Sequence, residues 1–446
     1  MKLQKGIFMI RQNIQNFKLG SLHRTKATAS SGLALLLTFA KDIGLGKHLD
    51  LRFSHLKLRQ RGYSVSAKVL SFLQMIIKGG DRLSDIDLLR ADPGLLSLLR
   101  MEGVPRPNTL ADLARRFRRR DVQRLAECGM RLAVRALRVK KVRRVILDID
   151  STLVESGVRI AERTYEGFRG FNPLLGMLRA GGMSLAAFSV FRPGNVAPQS
   201  HNLSLVRKIH RYLLKHLPWI KVLLRSDSAG YNHRLMRYCD QNDIGFVIGG
   251  RESEAIFQII QGIRHWERLR GGQANEQVGE GLHFVGPEKE GAVYRLVVVR
   301  KTNEQRALFP EFEYTYRLFI TNTSWSPHKV VRFYRKRGDA ENVIRELKEG
   351  YAADHILSEE FLANAVFFQL QLLAYNLVEL FKYTHLDRSW WRMRIKQLRY
   401  RLINIAGVVA RHARRTVLRL SVHYRYVETF RRVFQLLQVA PVELRL

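Results

Sequence analysis

Three acidic residues in this sequence could together bind metal ions. Asp150 ends a β-branched segment, VRRVILDID, and Asp227 ends a second apolar segment, IKVLLRSD. Glu341 lies within the charged segment FYRKRGDAENVIRELKEG. Carboxylates at the ends of neighbouring strands can meet at one point, where they repel one another unless a cation lies between them. Carboxylate oxygens favour Mg²⁺ or Mn²⁺ over zinc, so the sequence predicts a site for one of these ions.

Two such ions would permit phosphodiester chemistry. A pair of Mg²⁺ or Mn²⁺ ions about 3.5–4 Å apart activates water or a 3′-hydroxyl and stabilises the leaving oxygen of an in-line displacement. A single Asp after a strand is more often a helix cap or a turn residue. The prediction of two divalent ions therefore depends on all three acids meeting.

A second pattern surrounds Glu341. Tyr334, Arg337, Glu341 and Lys348 are separated by steps of three, four and seven residues. The sequence predicts one helix over residues 326–350, and at about 100° per residue the four side chains lie within about 60° of one another. A helix face with one carboxylate, one tyrosine and two cationic residues suits a metal ion next to the phosphates of a DNA end.

The net charge points to a polyanionic partner. The 446 residues include 76 Lys and Arg against 39 Asp and Glu, a formal net charge of +37, and 46% of them are apolar. The apolar share excludes a wholly disordered chain, and the charge favours nucleic acid over an anionic membrane surface. Residues 115–144 and 388–432 each contain 13 Lys and Arg. We predict that five arginines of the first segment face DNA: Arg115, Arg116, Arg118, Arg119 and Arg120.

The cysteines and the longest apolar segment bear on the compartment. Cys128 and Cys239 are far apart in the sequence, which excludes a disulfide scaffold and a CxxC zinc site and fits a reducing cytosol. The longest apolar stretch, Leu362–Val378, contains four Asn and Gln residues and is shorter than the roughly 20 residues that cross a bilayer. We therefore predict a buried helix there, no membrane partner and a cytoplasmic protein.

The order of predicted elements indicates an α/β protein. Residues 20–140 carry helical patterns, and residues 141–251 alternate strands with helices. Residues 252–325 then contain a helix, a Gly-rich stretch (GGQANEQVGEGLHFVGPEKEG) and two strands (AVYRLVVVRK and EYTYRLFITNT), which predicts an insertion with its own small sheet. The long apolar helix follows, and GVVARHARRTVLRLSV favours a hairpin. Strands of both directions with helices between them predict a mixed sheet.

Several motifs in a fixed order resemble those of one protein family. The Y-x2-R-x3-E-x6-K spacing resembles the YREK signature of bacterial insertion-sequence transposases with an RNase H-like DDE core. LDIDST, YEGFRGFNPLL, FRPGN, RSDSAGY and FLANAVFFQLQLLAYNL resemble one branch of that group. The resemblance covers residues from about 60 to 420, and several motifs in order are far more specific than any one of them.

The resemblance implies a fold and a set of site residues. The fold would be α/β, with an RNase H-like mixed sheet core, a β-rich insertion, an N-terminal helical domain and a basic C-terminal region. Asp150, Asp227 and Glu341 match the catalytic acids that hold the divalent ions, and Tyr334, Arg337 and Lys348 match positions that bind phosphates near the cleaved end. The corresponding domains are 1–140 (helical, DNA-binding), 141–251 (catalytic core, first part), 252–325 (insertion), 326–385 (catalytic core, second part) and 386–446 (basic C-terminal region).

The resemblance also implies an activity and partners. A transposase of this kind binds the terminal inverted repeats of its insertion sequence, cleaves the ends with metal-activated water and joins the 3′-hydroxyl to target DNA. It works as a homodimer paired across two ends, in the bacterial cytoplasm beside the nucleoid.

A phosphatase is the first alternative. LDIDSTLVESG also resembles the first motif of haloacid-dehalogenase-like phosphatases, in which Asp148 would be the nucleophile and Asp150 the general acid and base. Such a fold needs a later acidic loop after an apolar strand, whereas Gly338–Asp339 follows the basic FYRKR. Asp148→Asn is predicted to abolish a phosphatase and to spare a transposase, in which Asp148 would be a turn residue or would support the site. Glu341→Ala is predicted to abolish a transposase and to spare a phosphatase.

A basic DNA- or RNA-binding protein without catalysis is the second alternative, because an excess of Lys and Arg does not by itself require an enzyme. Acids at all three matched positions favour the enzyme. Metal-dependent cutting of DNA distinguishes the two.

Overall fold

The computed structural model describes residues 26–59, 61–303, 314–412 and 415–439, so the outer ends of the predicted domains 1–140 and 386–446 lie outside the described residues. The strands in the described part are, in chain order, β1 (Lys26–Thr28), β2 (Arg144–Ser151), β3 (Val154–Glu155), β4 (Glu162–Arg163), β5 (Arg169–Phe171), β6 (Leu174–Ala180), β7 (Met183–Val190), β8 (Lys221–Ser226), β9 (Gly245–Gly249), β10 (Glu267–Arg268), β11 (Glu276–Val285), β12 (Ala292–Thr302), β13 (Tyr314–Thr321), β14 (Gly407–His412) and β15 (Arg415–Leu420). The α-helices are α1 (Leu33–Asp42), α2 (Leu45–Phe53), α3 (Val65–Lys78), α4 (Ile86–Arg90), α5 (Pro93–Leu99), α6 (Pro107–Arg115), α7 (Arg119–Val139), α8 (Asn202–His216), α9 (His233–Gln241), α10 (Glu254–Gln261), α11 (Pro327–Arg335), α12 (Gly338–Tyr351), α13 (Phe361–His385), α14 (Arg388–Trp391), α15 (Ile395–Leu398) and α16 (Val427–Gln438).

A nine-stranded mixed sheet has the order β10-β11-β12-β13-β9-β8-β2-β6-β7. β8 runs parallel to β2 and β9 runs parallel to β8, whereas β2, β6 and β7 are successive antiparallel neighbours. Val145, Leu147 and Ile149 of β2 are buried, and the alternation of side chains along a strand places Asp148 and Asp150 together on the other face. The predicted α/β class with a mixed sheet core is confirmed.

Residues 252–325 extend this sheet instead of forming their own. β13 pairs with β9, and β12 and β11 continue the sheet outward. The prediction of a separate small sheet is therefore wrong, and β11 occupies much of the Gly-rich stretch, outside the two strands predicted there. The glycines suit this strand because a neighbouring segment packs closely on it: a Cβ at Gly279 or Gly281 would lie 2.7 Å from Ile263 or Ile259.

The long apolar helix α13 is buried, as predicted. Among the described residues it is the one helix long and apolar enough to cross a membrane, and 89% of its apolar window is buried inside the fold. Its polar residues find partners: Asn376 receives a hydrogen bond from the Ala186 amide and donates to the Ala186 and Gly129 carbonyls. α13 contacts α3, α6 and α7 as well as β7, so the N-terminal helices and the central sheet share one core.

The first and last described regions also meet. β1 pairs with β14, and β14 pairs with β15, which confirms the predicted hairpin apart from residues 413–414, which lie outside the described residues. These contacts cross the predicted domain boundaries, and the boundaries themselves stay predictions.

The single helix predicted over residues 326–350 is wrong, because the structure breaks it into α11 and α12. In a continuous helix the Arg337 amide would donate to the Phe333 carbonyl. Here it donates to the Tyr334 carbonyl, 2.7 Å away. The break lies beside Gly338, which has a low helix propensity.

One buried histidine predicts a pH dependence of stability. His385 packs against the rings of Phe39 and Phe381, and burial lowers its pKa from 6.5 to about 4. The folded protein therefore binds fewer protons than the unfolded chain below pH 6.5, so stability is full above pH 6.5 and falls as the pH drops towards 4. At pH 5 this one group should destabilise the fold by about 2 kcal/mol.

Denaturant unfolding at pH 7 and pH 5 measures this effect. The His385→Phe variant should lose about 2 kcal/mol less than the wild type over that range. An equal loss in both proteins would contradict the assignment to His385.

Candidate active site

Two of the three acids lie at the carboxyl ends of neighbouring strands in the middle of the central sheet. Asp150 is near the end of β2, and Asp227 directly follows β8, the parallel neighbour of β2. Asp227 also caps the short turn Ser228–Gly230, where its Oδ1 accepts a hydrogen bond of 3.0 Å from the Ala229 amide. Its other oxygen, Oδ2, faces Arg337.

The third acid reaches these two through an arginine. Arg337 lies at the start of α12, and its Nη2 is 2.6 Å from Oδ2 of Asp150 and 3.6 Å from Oδ2 of Asp227. Its Nη1 is 2.6 Å from Oε1 of Glu341, which lies in the first turn of the same helix. The structure thus brings Asp150, Asp227 and Glu341 together around one guanidinium group.

The environment of this cluster perturbs its protonation. Burial raises the pKa of Asp150 from 3.8 to about 7, with Arg337 opposing this rise and Asp227 and Glu341 adding to it. Burial lowers the pKa of Arg337, but the surrounding acids outweigh it and the net direction is upward. Three carboxylates share one guanidinium here, so an additional cation in the cluster would favour the charged form of Asp150.

The three carboxylates suit a divalent ion by chemistry, since oxygen ligands are those that Mg²⁺ and Mn²⁺ prefer. Within the described ranges, however, no three Asp, Glu, His or Cys side chains stand close enough to share one ion as they are placed. Arg337 lies between the acids instead. A metal ion bound here would have to replace the contacts of Arg337 with Asp150 and Glu341.

Two further residues of the predicted site are Tyr334, which precedes Arg337 in the sequence, and Lys348, which follows Glu341. The Tyr334 ring packs on Phe319, 4.7 Å between centroids, and borders a cleft of about 380 Å³ that Asp227 also lines. Burial raises the pKa of Tyr334 and lowers that of Lys348. Lys348 donates a 2.7 Å hydrogen bond to the carbonyl of Leu153, just after β2.

The five arginines predicted to face DNA differ in their surroundings. Arg115 pairs with Asp112 and Glu360, and Arg116 donates to the Leu56 carbonyl. The remaining three are exposed at the start of α7, which packs on the edge strand β7: Arg118, Arg119 and Arg120.

Sequence analysis missed two residues beside the acids, Arg225 and Arg179. Asp148 is buried, and both of its oxygens accept hydrogen bonds from Arg225, at 2.6 and 2.9 Å. Arg179 lies 3.9 Å from the same carboxylate. A carboxylate enclosed in this way is poorly placed to attack a substrate, which counts against a phosphatase with Asp148 as nucleophile. The sequence contains a pattern that could have identified Asp148 and Arg225, because each precedes a matched acid by two residues. In the structure the two residues are directly paired between β2 and β8.

Comparison with known proteins places the chain in a family. One of the solved structures it resembles is that of a piggyBac transposase synaptic complex with hairpin DNA, at a TM-score of 0.46 and 12% identity over 82% of this chain and 78% of that one. Comparison with curated proteins found no match. Residues 22–442 match the family model described as Transposase DDE domain group 1. Since that match spans nearly the whole chain, the protein belongs to the DDE-domain transposases.

Proposed function

We propose that this transposase binds the terminal inverted repeats of its own insertion sequence, cleaves the ends and joins the resulting 3′-hydroxyl to target DNA. The observation that supports this most strongly is the approach of Asp150, Asp227 and Glu341 to a single cation, the Arg337 guanidinium. Acids from three separate segments would not gather in this way if each were only a local cap or turn residue. Membership of the family supports the same reading.

The three acids would hold two Mg²⁺ or Mn²⁺ ions, which supply activation of the attacking water or hydroxyl and stabilisation of the leaving oxygen. Arg337, which now neutralises the acids, would move its charge to a phosphate of the DNA end. Tyr334 borders the cleft beside Asp227, where it can contact the backbone of the same end. Lys348, which is hydrogen-bonded to the Leu153 carbonyl just after β2, would add a positive charge for a DNA phosphate there.

DNA beyond the cleavage point would contact the two Lys- and Arg-rich segments, residues 115–144 and 388–432. Arg118, Arg119 and Arg120 are exposed and suit phosphate contacts, whereas Arg115 and Arg116 already have partners within the chain. We further propose a homodimer that pairs two ends, working on chromosomal DNA in a bacterial cytoplasm.

A cleavage assay tests the proposed function. The substrate is a DNA fragment carrying an inverted repeat from the sequence that flanks the gene, with unrelated DNA as control. Strand cleavage at the repeat should occur with Mg²⁺ or Mn²⁺ and stop when EDTA is added. A protein that retards the fragment in a gel but never cuts it, at any concentration of either metal, would instead be a DNA-binding protein without catalysis.

A further inference from the structure

A buried charge network lies next to the three acids. Arg225 of β8 is fully buried and binds both oxygens of Asp148 on β2 in a two-pronged contact. Arg179 of β6 approaches the same carboxylate to 3.9 Å and binds Asp339 at 2.6 Å. Two arginines and two acids thus balance one another across three adjacent strands and the start of α12.

Arg225 also stabilises the break between α11 and α12 through a contact with Phe333. Because the Arg337 amide donates to Tyr334, it no longer donates to the carbonyl of Phe333. Nη1 of Arg225 donates to that carbonyl at 2.7 Å, and its guanidinium lies 5.1 Å from the centre of the Phe333 ring. Arg225 thus replaces the hydrogen bond that the break removes, at the negative end of the α11 dipole.

Arg179 binds the other side of the break. Its Nη1 donates to the carbonyl of Lys336 at 3.1 Å, and its Nη2 binds Asp339 in the first turn of α12. Both arginines therefore reach from the sheet to the residues on either side of Arg337. Asp148 is the carboxylate that the two arginines share.

We infer that Asp148, Arg179 and Arg225, which we call the helix-break anchor, position the helix bearing Glu341 against the strands bearing the other two acids. The inference rests on the proposed function of those acids. Its geometric basis is the register of β2 and β8, in which Asp148 and Arg225 are directly paired and each lies two residues before an acid of the site. β2, which carries Asp150, therefore also carries Asp148, and β8, which ends one residue before Asp227, carries Arg225. Arg225 reaches the end of α11, and Arg179 on β6 reaches the start of α12.

Lysine cannot substitute for arginine in this role. The Arg225 guanidinium uses three nitrogens at once, two on Asp148 and one on Phe333. A lysine ammonium at this position keeps the charge but has no planar fork that could match both partners. Arg225→Lys therefore tests positioning with the charge retained, and Arg179→Lys repeats the test at a site that is partly exposed and less critical for folding.

The test measures metal binding as well as cleavage. The full chain is bound to a DNA fragment carrying the inverted repeat, and Mn²⁺ affinity is measured by the electron paramagnetic resonance signal of free Mn²⁺. Loss of residues that orient metal ligands typically weakens metal affinity by about 10–100-fold. We expect a loss of that size in Arg225→Lys, a smaller loss in Arg179→Lys, unchanged DNA binding, and cleavage that recovers as Mn²⁺ is raised.

Glu379→Gln is the matched control, because it removes a charge from another buried ion pair, Glu379–Lys382 on α13. Wild-type Mn²⁺ affinity in both lysine variants, or an equal loss in Glu379→Gln, would overturn the anchor. Failure of the proposed function gives a different pattern. In that case the wild type and Glu341→Gln would bind Mn²⁺ with equal affinity, which would overturn both the proposed function and the helix-break anchor. If only the anchor is wrong, Glu341→Gln still binds Mn²⁺ more weakly than the wild type.

Discussion

Glu341→Gln should reduce metal-dependent cleavage of the inverted repeat on the order of 10³-fold, equivalent to about 4 kcal/mol of activation free energy. The amide retains the size of the side chain but loses the charge that would hold a divalent ion. Binding of uncut DNA should not fall, because Glu341 is a carboxylate and repels phosphates. Cleavage rates at saturating DNA, together with gel-shift affinity, check both halves of the expectation.

Glu349→Gln provides the control on the same helix. Glu349 lies on α12 with its side chain 46% exposed and pairs with Lys396 at 3.5 Å. This variant should cleave at the wild-type rate. If Glu341→Gln cleaved as fast as Glu349→Gln, the assignment of Glu341 to the active site would be wrong.

The second large effect concerns salt. A protein that neutralises 6–10 phosphates loses about 10³–10⁵ in DNA affinity between 50 and 200 mM salt, and we expect this protein to fall within that range. The double variant Arg119→Gln/Arg120→Gln should lower the slope of log affinity against log salt by about 2, since each phosphate contact contributes about 0.9. Fluorescence anisotropy with labelled inverted-repeat DNA at four salt concentrations gives the slope.

Arg268→Gln is the control for this measurement. Arg268 is exposed on β10, at the edge of the central sheet opposite to β7, on which α7 packs. Its slope should equal that of the wild type. A salt-insensitive complex, or equal slopes in the double variant and the wild type, would show that the start of α7 is not a phosphate-binding surface.

The fold class could be predicted from local patterns, and the meeting of the three acids from motif spacing together with the family resemblance. The apolar segments VRRVILDID and IKVLLRSD predict two buried strands. Parallel pairing of these strands brings Asp150 and Asp227 to the same end of the sheet. Glu341 was recognised from its spacing to Tyr334 and Arg337. The catalytic roles of these residues are still predictions, as are the phosphate-binding roles of the arginines.

The helix break could not be predicted, because its cause lies in tertiary contacts. A period of 3.6 residues continues across positions 334 to 341, and a single glycine, Gly338, is a weak local signal for a break. The contacts that favour the interruption come from Arg225 and Arg179, more than 100 residues earlier. The same contacts change an earlier expectation. Asp148→Asn should not spare the transposase, because it leaves the buried Arg225 without its counter-charge, which is costly in a protein interior.

The shared core helix has a consequence for how the polypeptide matures on the ribosome. Helices α3, α6 and α7 all pack on α13, and within the described residues β1 pairs with β14. N-terminal segments usually fold first during translation, at about 5–20 residues per second. Here the N-terminal helices gain their contacts with α13 only after residues 361–385 have been synthesised. A copy of the gene interrupted before α13 should therefore yield a product that is degraded and not a stable fragment.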